Sequence, residues 1–67
     1  MKEQGTIKRI IREKGFLFLE GPDKIQYFAH RSDVVDFDGV REGDPVLFVK
    51  TPETGRGPRA AAVEIDA

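Results

Sequence analysis

Two short stretches hold the residues that could do chemistry: Lys14-Gly15-Phe16-Leu17-Phe18-Leu19-Glu20 and Tyr27-Phe28-Ala29-His30. Along a strand, alternate side chains leave opposite faces, so Phe16 and Phe18 share one face and Leu17 and Leu19 the other. If the leucines fill a core, two flat rings remain beside Lys14 on the outer face. Rings next to a cation form a platform on which unpaired bases stack. A short apolar run alone reads more simply as a buried strand. The second stretch shifts that balance, because Phe28 and His30 also share a face by the same period. Covalent catalysis has little to work with. The chain has one histidine, one serine and no cysteine, so the usual nucleophile–base pairs are nearly absent.

The carboxylates read as turn residues before they read as ligands. Asp36, Asp38 and Asp44 lie in a turn-rich segment. Asp36-Phe37-Asp38-Gly39 supplies only part of the alternation that a calcium loop needs. No cofactor or metal is expected. Phe37 stands alone in this polar segment, either as a lid over the core or as a contact residue.

Positioning these residues falls to five short strands. Gly5 to Arg12 is β-branched and partly alternating, with a break near Arg9-Ile10 that predicts a bulge. Lys8 and Arg9 are neighbours, so both can face one ligand only if the strand is bulged or twisted there. Glu13-Lys14-Gly15 connects to the strand Phe16 to Glu20, and Gly15 tolerates a positive φ. Gly21-Pro22-Asp23-Lys24 is a turn. Ile25 to His30 is the third strand. Ser32 is expected to cap a short helical turn over Asp33-Val34-Val35. Val46 to Lys50 is the fourth strand, with Pro45 at its start. Thr51 to Pro58 is a loop, and Ala60 to Ile65 is the last strand. Five short strands escape the edge problem by closing. The predicted fold is all-β, a five-stranded antiparallel Greek-key barrel of the OB type, spanning residues 1–67 as one domain.

The formal net charge is −1, which argues against indiscriminate nucleic-acid binding. Its distribution is polarised. Residues 1–31 hold seven Lys or Arg and four acids, net +3, whereas residues 32–67 hold four and eight, net −4. A polarised chain can present a basic face despite an acidic total. The absence of cysteine, of a long apolar run and of a secretory-type N-terminus points to a soluble cytoplasmic protein with no membrane partner.

The motifs resemble those of the bacterial cold-shock protein family. Lys14-Gly15-Phe16-Leu17-Phe18-Leu19 is similar to its first ribonucleoprotein motif, usually Lys-Gly-Phe-Gly-Phe-Ile. Tyr27-Phe28-Ala29-His30-Arg31-Ser32 is similar to the second, usually Val-Phe-Val-His-Phe-Ser. Gly5-Thr6-Ile7-Lys8, Glu42-Gly43 and Arg56-Gly57-Pro58 resemble further landmarks, and the likeness covers nearly the whole chain. The resemblance implies an OB barrel that binds single-stranded RNA or DNA on one face, with roles in RNA chaperoning or in transcript and translation regulation. Carried over by position, Phe16, Phe18, Phe28 and His30 match stacking residues. Phe37 matches a loop aromatic if two residues are missing before it. Lys8, Lys14 and Arg56 match basic or polar contacts.

The departures are specific. Arg9 stands where the family has tryptophan, Ile10 and Arg31 where it has phenylalanine, and Leu17 where it has glycine. Two lost stacking platforms, at Arg9 and Arg31, would remove about 2–6 kcal/mol before compensation. A guanidinium compensates in part, since it stacks on bases and pairs with phosphate. The expectation is a face shifted from apolar stacking towards charge, on a monomer with a dimer left open. Two other readings use the same barrel. One is a protein-interaction module with weakened nucleic-acid binding. The other is an OB module resembling a bacterial translation initiation factor, which explains barrel and length but not the paired motifs.

Overall fold

The computed structural model describes residues 2–51 and 58–66. Among these described residues are five strands, β1 (Glu3–Ile11), β2 (Phe16–Glu20), β3 (Gln26–His30), β4 (Pro45–Thr51) and β5 (Arg59–Ile65), with a 3₁₀ turn at Arg31–Asp33 after β3. They close into a barrel in the order β1-β2-β3-β5-β4. The all-β, five-stranded OB-type architecture read from the sequence is therefore the one observed. Four of its pairings are antiparallel, and the closing contact of β3 with β5 is parallel, through Phe28 and Arg59.

β1 joins two sides of the barrel. Its first half, Glu3 to Thr6, pairs with β4, and Thr6 to Ile11 pairs with β2. Gly5 sits where the strand changes partner. A Cβ there would lie 2.8 Å from the Glu20 carbonyl oxygen and 2.9 Å from the Phe48 ring, so only glycine allows this close approach. The bulge lies one residue earlier than predicted, between Ile7 and Arg9. There the 41–44 turn replaces β4 as the neighbour. Ile7 N–H donates to the Asp44 carbonyl at 3.0 Å, and Gly43 N–H donates to the Ile7 carbonyl at 2.7 Å.

The core follows the alternation. Leu17 and Leu19 of β2, Ala29 of β3, Val46 and Phe48 of β4, and Ala60 and Val63 of β5 are fully buried. Each buried leucine or phenylalanine contributes about 1.5–3 kcal/mol. Removing Leu17 and Leu19 from water is thus what commits Phe16 and Phe18 to the other face.

The helical turn differs from expectation. It comprises Arg31–Asp33, and its cap is His30, not Ser32. Ser32 N–H donates to His30 Nδ1 at 3.3 Å. Histidine in extended conformation, with its ring folded back over the next turn, supplies the acceptor that Ser32 was expected to supply.

Candidate nucleic-acid interface

The outer faces of β1, β2 and β3 form three cross-strand rungs. Thr6, Glu20 and Gln26 make the first, Arg9, Phe18 and Phe28 the second, and Ile11, Phe16 and His30 the third. Residues directly opposite share a face, so the second and third rungs collect the predicted aromatics. Phe16 and Phe28 have ring centroids 5.2 Å apart, Phe16 and Phe18 5.6 Å, and Phe18 and Phe28 6.0 Å. The pairs are edge-on or tilted, the arrangement that ring quadrupoles favour. All three rings are half-buried. They hold one another in place and still offer surface to a ligand.

The bulge decides what stands beside the rings. With one extra residue between Ile7 and Arg9, Lys8 and Arg9 are both exposed. Arg9 lies opposite Phe18. Lys8 leans towards the first rung, with Nζ 3.8 Å from a Glu20 carboxylate oxygen. This exposed pair is weak. The shift of parity also sends Ile10 inwards against the core and Ile11 outwards beside Phe16. Ile11 is a member of this face that the sequence reading missed. The signal was the broken alternation, but its one-residue placement decides which isoleucine faces out.

Arg31 reaches the same neighbourhood through Gly15. Gly15 has φ +76°, and Arg31 N–H donates to its carbonyl at 2.8 Å. A Cβ at Gly15 would lie 2.9 Å from Arg31 Cδ, so the arginine stem lies over the glycine. The left-handed turn is what calls for glycine here, and the missing side chain leaves room for the arginine stem. Among the described residues, Arg9, Lys14 and Arg31 form no ion pair, unlike Lys2, Lys50 and Arg59. Arg59 donates to Asp33 at 2.7 Å and thereby fixes the 3₁₀ turn to β5.

Next to the rungs runs a groove of about 680 Å³, lined by Arg9, Ile10, Ile11, Arg12, Glu13, Lys14 and Phe16. It joins three cations to the edge of the ring cluster. Phe37 makes no ring contact with Phe16, Phe18 or Phe28 among the described residues. It packs against the core, as a lid does, beneath the Arg12 guanidinium. Arg56 lies outside the described residues, as does most of the predicted 51–58 loop. His30 is exposed at the end of the third rung. Its Nδ1 accepts from Ser32, which leaves Nε2 as the ring's other hydrogen-bonding atom.

No family model matches the chain. Curated proteins do. The chain is 41% identical over 64 residues to cold shock protein CspA of Staphylococcus aureus strain USA300, across 91% of this chain and 94% of that protein. The same identity and coverage hold for cold shock protein CspA of Staphylococcus haemolyticus. Identity is 38% over 63 residues for the namesake of Staphylococcus saprophyticus. Likeness of this extent, on a closed barrel carrying both aromatic motifs on adjacent strands, makes the chain a member of the cold-shock protein family.

Proposed function

We propose that this protein binds single-stranded RNA or DNA on the outer face of β1, β2 and β3, without catalysis. The observation that supports this most is the cluster of half-buried Phe16, Phe18 and Phe28 with Arg9, Lys14 and Arg31 near it, cations that form no ion pair among the described residues. Bases stack on the rings, and phosphates meet the cations. His30 adds a donor at the end of the third rung, and Ile11 adds apolar surface beside Phe16. Lys8, Phe37 and Arg56 complete the set carried over from the family motifs. Duplexes are disfavoured ligands, because stacking needs bases that have left their own stack.

The whole chain acts as one domain and as a monomer in the cytoplasm. Among the described residues, no helix is long and apolar enough to cross a membrane. Weak, sequence-tolerant capture of unpaired bases biases local duplexes towards the open form by mass action. That effect suits RNA chaperoning or the regulation of transcription and translation.

The test is a titration of a fluorophore-labelled seven-nucleotide pyrimidine oligomer, as DNA and as RNA, with a duplex of similar length beside it. The single strand is bound and the duplex is not. Phe28→Ala weakens binding by roughly 5- to 150-fold, equivalent to about 1–3 kcal/mol of stacking. A thermal melt of the variant confirms the fold. Absence of single-strand binding at low salt would overturn the proposal and turn attention to an acidic protein partner.

A further inference from the structure

Arg12 carries contacts beside this face that the ring cluster does not explain. It stands in the turn between β1 and β2 and lines the groove together with Arg9, Lys14 and Phe16. Its side chain is committed elsewhere. Nη1 donates to the Phe37 carbonyl at 2.9 Å, and Nη2 donates to the Val40 carbonyl. Its guanidinium carbon lies 5.8 Å from the Phe37 ring centroid, within cation–π range. Val40 is fully buried, so one end of this clamp is anchored at the core. The first of these carbonyls belongs to a tight turn, residues 36–39, and the second follows it directly. Asp36 has φ +56°, and Gly39 N–H donates to its carbonyl at 2.9 Å.

We propose that Arg12 is a positioning residue: from the groove that it lines, it fixes the 36–39 turn and so holds the half-exposed Phe37, whose inner side packs on the core, for the ligand. The proposal rests on reading this face as a single-strand binding site. Only a planar fork can do this work. Two carbonyls three residues apart are reached by two nitrogens of one rigid guanidinium, whereas a lysine ammonium is a single point charge. Arg12 therefore acts through Phe37 and not through phosphate.

Four proteins decide the matter: wild type, Arg12→Lys, Phe37→Ala and the double variant, each titrated with the labelled seven-nucleotide pyrimidine strand across a salt series. Arg12→Lys weakens binding by about 3- to 10-fold. Its slope of log affinity against log salt stays that of the wild type, because no phosphate contact is lost. In the Phe37→Ala background the same change has no further effect. In the free protein, the Gly39 amide exchanges faster in Arg12→Lys. Wild-type affinity and exchange in Arg12→Lys would overturn the proposal. So would a phosphate role, seen as Arg12→Gln flattening the slope by about 0.7 while Arg12→Lys restores it. A wild type that binds no single strand would instead overturn the functional reading, with the exchange result still reporting whether Arg12 holds the turn.

Discussion

Asp23 accepts a hydrogen bond from Tyr27 Oη at 2.7 Å, one from the Ile25 amide at 3.1 Å and one from Lys50 Nζ at 3.1 Å. Three donors on one carboxylate tie the β2–β3 turn to β4, and Tyr27, packed 5.0 Å from Phe48, carries the tie into the core. The Tyr27 hydroxyl, then the Ile25 amide, hold the Asp23 carboxyl down from 3.8 to about 2. Burial pushes the Tyr27 hydroxyl up, and its bond to Asp23 adds to this. A carboxyl with a folded value below its unfolded one stabilises fully above the unfolded value and loses that contribution as pH falls through the folded value. Denaturant midpoints of wild type and Asp23→Asn therefore differ at neutral pH. The difference shrinks as pH falls from 3.8 towards about 2. A difference independent of pH would show that the charge of Asp23 contributes nothing. Arg9 stands opposite Phe18 in the strand register, and the Arg31 stem lies over Gly15, so each adds a cation beside β2.

At the scale of elements, β1 and β5 each carry an irregularity that the barrel requires. In β5 the register against β4 shifts opposite Phe48, and Ala62 there has φ +51°. An L-residue with a Cβ is strained in that region by about 1–2 kcal/mol. Ala62 is exposed, so its methyl adds little packing. Ala62→Gly raises stability by about 0.5–1 kcal/mol, or a few degrees in Tm, after the entropy cost of glycine is counted. An unchanged or lower Tm would contradict this account of the bulge. Local pattern made much of this scale legible. β2 spans the residues its alternation predicted, and the turns at Gly15 and at Gly21 to Lys24 stand where glycine, proline and aspartate placed them. Barrel closure decided the rest. The bulge falls at Lys8 because the 41–44 turn pairs there, and no local signal carries that contact. The same holds for Arg12, whose carbonyl partners lie 25 and 28 residues away. Ile11 and the His30 cap were missed for a similar reason, since each depends on a one-residue placement.

The whole molecule is acidic by one charge, yet three of the cations that form no ion pair among the described residues, Arg9, Lys14 and Arg31, lie on or next to β2 and its neighbours. The segment 33–44 and the end of β5 hold many of the acids, and Glu64 is paired with Lys2 at 2.7 Å. Glu13 lines the groove and Glu42 accepts from the Ile10 amide at 3.2 Å, so acids border the cations, and a phosphate backbone meets attraction only over a short stretch of surface. The central claim is that this face binds by stacking and charge together. The slope of log affinity against log salt for the seven-nucleotide pyrimidine strand tests it most directly. Each phosphate contact adds roughly −0.7 on single strands, so three cations give about −2, and Arg9→Gln brings the slope about 0.7 closer to zero. Measurable binding with a slope near zero, unchanged in Arg9→Gln, would contradict the account.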